Sequence, residues 1–457
     1  MRLIDNLLES QVAKIWRQLL LDRTELTTEG GEPIKIIYPG RANDDRGADF
    51  RDAAIATSQG LIKGDIEVHV KSSAWRTHQH HHDPAYNRVI LHVVMWHDTE
   101  AATNLQNGEN APVLALDKYV KSPINQLSQG EHPPVNLSMP CLKAAEHLTP
   151  ATMAEFLDTT GEERFLTKAN RFQRDLAKIE ASQSLYQGIM EALGYSKNKL
   201  PFLELARRLP LQKLMTQGKR AGKECVAQQQ ALLLGTAGLL PSQRAHWHQD
   251  KDKWVGKLER IWASYTQTET MSPYAWHLFK VRPNNFPTRR IVAMSYLILR
   301  YREKGILEEV VNVVKEASIN LSHHRLEKGL VVTTNGYWAN HFDFGLGNRI
   351  RNQTLLGSRR ADDIVVNVLL PFTFAWGKFT SQPELGRKAI DLYRHYPKLV
   401  VNTVEKHMSH QLKLSSNLVN SAQRQQGLIH IYKTLCTQGR CNCCHLSQTE
   451  AGNYIQI

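Results

Sequence analysis

The sequence holds no run near the roughly 20 consecutive apolar residues that cross a bilayer, so a membrane-spanning helix is not expected. It also lacks a phosphate-binding glycine loop, a dinucleotide fingerprint and a Ser-His-Asp pattern, which removes the usual sequence routes to a nucleotide-dependent enzyme or a serine hydrolase. No fixed repeat period is evident, and a regular solenoid is therefore not supported. Cysteine is scarce: six in 457 residues are too few to staple so long a chain as a disulfide framework. Negative charge is in deficit as well, with 44 Asp and Glu against 57 Lys and Arg, a formal surplus of +13. A surplus of that sign favours polyanionic partners, nucleic acid first, through steering and counterion release. The opening residues MRLIDNLLESQVAKIW mix acids with apolar residues and contain no long apolar core. Neither a signal nor a transit peptide is expected, and the expected compartment is the cytoplasm.

Periodicity organises what remains. Ile4, Leu7, Leu8, Val12, Ile15, Trp16 and Leu19 recur at three-and-four spacing, predicting an amphipathic helix that lies against a sheet. PIKIIYPG (33–40) predicts a short strand ended by Pro39-Gly40. Phe50 to Thr57 and Leu61 to Lys71 predict two strands joined across Ser58-Gln59-Gly60, and Arg88 to Trp96 a fourth, nearly continuous apolar strand. From about 100 to 150 the chain is rich in Pro, Asn, Gly and Ser, predicting loops with one short strand. The texture changes at Pro150. Phe165, Ala169, Phe172 and Leu176, then Leu185, Ile189 and Leu193 to a stop at Gly194, predict helices, and further helical blocks are expected at 229–240, 247–265, 288–301, 362–377 and 383–435. The expected fold class is an α+β N-terminal domain with a mixed sheet (1–145), followed by an all-helical region (146–345) and a C-terminal helical region with a cysteine-rich tail (346–457).

Side chains two apart on a strand share a face, so Asp65, Glu67, His69 and Lys71 align while Ile66, Val68 and Val70 point to the core. An ordinary half-exposed antiparallel strand shows the same alternation. Asp49, at the mouth of the preceding strand, is placed to meet Glu67 across the ladder. Two carboxylates beside one basic group are what phosphodiester hydrolysis needs: the acids hold Mg²⁺ or Mn²⁺, and His69 or Lys71 steadies developing charge or orients a water.

Helix, three strands, turn and strand, with Asp at the second strand and an acid-x-base pair on the third, resembles the PD-(D/E)xK nuclease superfamily, whose fold is restriction-endonuclease-like. In that resemblance Gly47-Ala48-Asp49 stands for the Pro-Asp element, with Ala48 in place of proline, and Glu67-Val68-His69 stands for acid-x-lysine, with His69 in place of lysine. It implies Asp49 and Glu67 as metal ligands and His69 or Lys71 as the catalytic base or cation, with Glu9 as an additional helix carboxylate. The segments IEVHVKSSAWRTHQHHHDPAYNRVILHVV, LYQGIMEALGYSKNKLPFLELARRLP, ALLLGTAGLL, RPNNFPTRRI, NVLLPFTFAWGK and the cysteine-ending tail also resemble, in order, a bacterial family known only as a domain of unknown function. Its first motif, Gly-Pro-Asp-Phe, implies the same alignment of Asp49.

Three further groups carry chemistry. His78, His80, His81 and His82 with Asp83 crowd the turn before the fourth strand; they read as a transition-metal group, a phosphate contact or a solvated loop, bracketed by Trp75 and Tyr86 as core anchors. Cys436, Cys441 and Cys444 have metal-ligand spacing, for zinc or an iron–sulfur cluster, with Cys443, His445, Cys141 or Cys225 as candidates for the fourth ligand. RPNNFPTRRI (282–291) and GSRRADDIVVN (357–367) offer arginines either as phosphate contacts or, more simply, as loop-bracing groups.

Overall fold

The computed structural model describes residues 7–18, 26–43, 45–120, 141, 148–220, 224–244, 252–265, 269–316, 318–347 and 351–448. The chain divides into two compact units: Met1–Thr160 with Val401–Val419 and Gly427–Ile457, and Gly161–Val400 with Asn420–Gln426.

The first unit is built on a mixed sheet. Its elements are α1 (Glu9–Gln18), β1 (Leu26–Thr27), β2 (Pro33–Tyr38), β3 (Arg41–Ala42), β4 (Phe50–Thr57), β5 (Gly60–Lys71), α2 (Ala74–Thr77), β6 (Val89–Trp96), β7 (Thr103–Asn104), β8 (Asn110–Ala111) and β9 (Val113–Ala115). The seven-stranded sheet runs β1-β2-β4-β5-β6-β9, with β3 beside β4 and a separate β7-β8 ladder. Pairing is antiparallel as far as β5 and parallel for β5-β6 and β6-β9. The apolar face of the sheet is covered by α1, whose buried Val12, Ile15 and Trp16 pack with Ile66, Val68, Leu91 and Val93. Trp16 donates its indole N–H to the Pro39 carbonyl at 3.0 Å, fixing the helix to the end of β2. Leu8, counted in the expected stripe, is exposed, while Ile4 and Leu19 lie outside the described residues.

The other face of β5 is also covered. The β5–β6 crossover consists of α2 and single 3₁₀ turns at His80–His82 and Pro84–Tyr86, the second capped by the Asp83 carboxylate accepting from the Ala85 N–H. Trp75, 1% exposed, anchors it by donating to the Asn104 carbonyl at 3.0 Å. Asp65, Glu67 and His69 are therefore buried, at 3%, 5% and 1% exposure, on a strand whose pattern alone is equally that of a half-exposed one.

The C-terminal region is mostly helical, and not all-helical as expected. Helices Pro150–Leu176, Ala181–Leu193 and Pro287–Arg300 follow the expected stripes, with Gly194 closing the second. Lys199–Arg208, Leu211–Arg220, Ile306–Glu316 and Ile319–Leu330 are helices that the spacing did not announce. Two short ladders interrupt the second unit, Val332–Thr333 with Thr354–Leu356 and His341–Asp343 with Leu346–Gly347. Strands of two or three residues are too short to show a period of two.

Candidate functional site

Asp49 is delivered by a loop tied from within. The Asn43 side-chain amide donates to the Ala48 carbonyl at 2.8 Å, and its oxygen accepts from the Asp45 N–H at 3.1 Å. Gly47 takes φ +93°, where a Cβ would stand 2.9 Å from the Ala85 carbonyl, so a side chain there meets both strain and a clash. Ala48 is fully buried under Trp75 and Val89. β4 then begins with Phe50 opposite Ile66, which sets Asp49 opposite Glu67. A bulge follows at Arg51-Asp52, with Asp52 at φ +61° and its N–H bonded to Asp65 Oδ1 at 3.1 Å. Asp65 thus holds the bulge and is not free for a reaction.

The two carboxylates interlock. Glu67 Oε2 accepts from the Asp49 N–H at 3.0 Å, and Asp49 Oδ2 accepts from the Val68 N–H at 3.1 Å. Three imidazoles join them. His69 Nε2 and His80 Nε2 lie 3.5 and 3.2 Å from Glu67 Oε1, and His69 Nε2 is 3.1 Å from His78 Nδ1. Donor atoms of His69, His78 and His80 all lie within 4.8 Å of one another, a spacing one metal ion can bridge. His80 is 9% exposed, its ring stacked on Tyr86 at 3.9 Å, and its Nε2 makes no hydrogen bond despite the nearby Glu67 oxygen. His81 and His82 pack against each other and are not part of this group. Glu67 and His69 form a buried floor, while Asp49 and His78 are exposed at its mouth.

Electrostatically the site is an acid pair without a counter-cation. Burial, followed by repulsion from Glu67, pushes Asp49 up to about 7, because its carboxyl turns inward onto the Val68 amide although the residue itself is exposed. Burial pushes Glu67 up to about 8. Glu9, exposed at the start of α1, adds negative charge to both. Burial, then the neighbouring imidazoles, lowers His69 to about 2, so its ring is neutral. Among the described residues, no lysine or arginine pairs with Asp49 or Glu67. Lys71 is exposed, four residues on from Glu67 and so roughly 13 Å further along the strand.

One residue of this network was not singled out by sequence. His92, fully buried on β6 opposite Glu67, is 2.9 Å from His69 Nδ1 through its Nε2 and 3.0 Å from Thr103 Oγ1 through its Nδ1. Its signal was a lone histidine inside the apolar run RVILHVVMW. With Nε2 of His69 used as a donor atom, Nδ1–H of His69 donates to His92, whose own Nδ1–H donates to Thr103; the chain fixes tautomer and ring orientation.

The remaining candidates separate cleanly. Arg289 is fully buried and donates to the carbonyls of Trp338, His341, Asn352 and Thr354, and Arg290 donates to Leu355, Tyr195 and Asn285. Arg360 pairs with Asp363 and stacks on Tyr195 at 3.6 Å, so these three guanidiniums are consumed internally. In the tail, Cys436 and Cys444 are buried and Cys441 half-buried, while Cys443 and His445 are exposed. Cys225 lies in the second unit, in the helix Cys225–Thr236.

Residues 9–399 match the protein family described as Protein of unknown function (DUF2851). Neither a curated protein nor a solved structure is found that matches the chain.

Proposed function

From the premise that the chain belongs to the DUF2851 family, whose description names no reaction, we propose on the geometry of its own site that it is a metal-dependent hydrolase of nucleic-acid phosphodiester bonds. The observation that carries the reading is the meeting of Asp49 and Glu67 across the β4-β5 ladder, beside three imidazoles, with Asp49 and His78 exposed. The order α1, three antiparallel strands, crossover and parallel fourth strand supports a nuclease-like fold of the PD-(D/E)xK kind.

Asp49 and Glu67 would hold a divalent ion, with His69, His78 and His80 completing the ligand set. A carboxylate–imidazole set suits Mn²⁺ and its transition-metal neighbours better than Mg²⁺, which prefers oxygen alone. Such an ion supplies positive charge that polarises the phosphate and acidifies a water. His69, neutral where the superfamily pattern has lysine, acts as a ligand held by His92 and not as a cation. Positive charge for the nucleic-acid backbone comes from the formal surplus of +13, and the exposed Arg46 and Arg88, paired with Asp83 and Asp52, lie near the site.

Purified full-length protein should cut single- or double-stranded DNA or RNA when Mn²⁺ is supplied, and Asp49→Ala or Glu67→Ala should lower the rate by at least ~100-fold. Equal cleavage by the wild type and both variants would sink the assignment. The second reading, a nucleic-acid-binding protein without catalysis, is favoured by the missing lysine at position 69. It is distinguished by salt-sensitive binding with no cutting under any divalent metal.

A further inference from the structure

The tail cysteines do not face one another alone. Cys436 closes the end of the helix Ala422–Thr434, Cys441 and Cys444 flank a single 3₁₀ turn, and Cys141 comes from a segment far earlier in the chain; all four line one cavity of the first unit. Cys141, Cys436 and Cys444 are 6%, 9% and 5% exposed, whereas Cys443 in the same turn faces solvent. Folding gathers thiols from two distant parts of the sequence around one cavity and turns Cys443 out, although no three of these sulfurs lie within 4.8 Å of one another.

The sulfurs sense one another. Burial first, then the neighbouring thiols, pushes Cys141 up to about 11 and raises Cys436 and Cys441, while burial alone raises Cys444. No cationic side chain lines the cavity among the described residues. Hydrogen-bond donors are nevertheless directed at sulfur: the Gln411 amide reaches Cys141 Sγ at 3.3 Å, and the backbone of Leu446 with the backbone and hydroxyl of Ser447 faces Cys444. Donors around sulfur suit a thiolate that a soft cation has deprotonated.

We infer that Cys141, Cys436, Cys441 and Cys444 form a tetrathiolate site for a thiophilic metal, either one zinc ion or one iron–sulfur cluster. Cys141 is the fourth ligand that the tail spacing leaves open. On loading, each thiol loses its proton to solvent and the metal takes its place. The site fastens the tail to the sheet: Gly439, at φ +63°, lets the chain reverse between Cys436 and Cys441 while lying on β4 and β5, where a Cβ would stand 2.9 Å from Leu61 and 3.2 Å from Ala54. Lys63 of β5 donates to Gln438 at 2.8 Å beside it. This inference stands apart from the hydrolase reading, since it uses none of the residues around Asp49.

The test is elemental analysis and X-ray absorption on the full-length protein purified without oxygen or chelator. One centre per chain with four sulfur neighbours is expected. A brown colour bleached by reductant identifies the iron–sulfur form, and a colourless protein containing zinc the other. Cys443→Ser and Cys225→Ser should keep the metal, while Cys141→Ser should weaken its retention by at least ~10-fold. A metal-free protein whose cysteines react freely with a thiol reagent overturns the inference, as does a Cys141→Ser variant that retains the full complement. Should Cys141→Ser fail to fold, the sulfur count in the wild type still decides, and fewer than four sulfurs refutes the site.

Discussion

Glu67 and Asp49 combine burial with proximity and have no lysine or arginine partner among the described residues, so in the metal-free protein they hold protons at pH values where ordinary carboxyls do not. Glu67 rises from 4.5 to about 8 and Asp49 from 3.8 to about 7. Between the ordinary and the raised values these two carboxyls bind protons in the folded chain that they have released in the unfolded chain, so their contribution to stability falls as pH climbs through that window. Below about pH 6.5 the buried histidines, His69 and His92 among them, pull the other way, since they stay neutral in the folded chain while the unfolded chain protonates them. Metal-free protein is therefore expected to melt at progressively lower temperature from about pH 6.5 to about pH 8. A divalent ion replaces the protons, so the stabilisation by Mn²⁺ should grow over the same range. Thermal denaturation with and without Mn²⁺ across this range checks both trends, and a metal-free melting temperature that rises towards pH 8 contradicts them. Asp49 and Glu67 were legible as candidates because strand alternation fixes which side chains share a face, but the register of the Ser-Gln-Gly turn alone would set Asp49 opposite Val68, and it is the bulge at Arg51-Asp52 that brings it opposite Glu67. His92 was not, because the partner that gives it meaning sits on a parallel neighbour reached only after a crossover.

At the scale of elements, Arg289 braces the short ladders of the second unit. It sits in the first turns of the helix Pro287–Arg300, fully buried, and its bonds to Trp338, His341, Asn352 and Thr354 span the segment that holds both hairpins. Those strands are two or three residues long and cannot be held by their own ladders. Arg289→Met should leave several buried carbonyls without donors, each worth about 1–3 kcal/mol, and so destabilise the second unit by roughly 3 kcal/mol or more. Denaturant melts should register that loss while nucleic-acid affinity stays unchanged; lost affinity with unaltered stability would instead return Arg289 to the role of a phosphate contact. The motif RPNNFPTRRI was visible from its sequence, but its destination was not: an arginine in the first turn of a helix looks the same whether it faces a phosphate or a ring of carbonyls. Helices with a strong apolar stripe, such as Ala181–Leu193, were readable in advance. Ile319–Leu330, with His323, His324, Arg325, Glu327 and Lys328 among its apolar positions, was readable only from its packing.

At the scale of the molecule, both ends of the sequence enter the first unit, which a reading in chain order does not anticipate. No described helix is long and apolar enough to cross a membrane, in keeping with the composition. One core of this unit joins Tyr38 and Ala54 of the sheet to Met408, Leu412, Val419, Leu428, Ile431 and Leu446, and the Tyr38 hydroxyl lies 2.6 Å from His407 Nε2. Each such apolar side chain contributes about 1.5–3 kcal/mol when fully buried. The C-terminal residues together thus supply on the order of 10 kcal/mol, as much as the whole net stability of an ordinary domain, about 5–15 kcal/mol. A fragment ending at residue 145 keeps the strands, the α1 core and every residue around Asp49, yet loses this second core and leaves Tyr38 and Ala54 bare. It is expected to lack a cooperative melt and to exchange the amides of β2 and β4 rapidly, where the full chain protects them. Far-UV circular dichroism on heating and hydrogen exchange measure this, and a fragment that melts cooperatively with native protection in β4 shows that the N-terminal sheet stands without the tail. Loading of the four-cysteine site should move in step with that protection, since Cys141 and the tail cysteines lie in the core whose loss exposes the sheet.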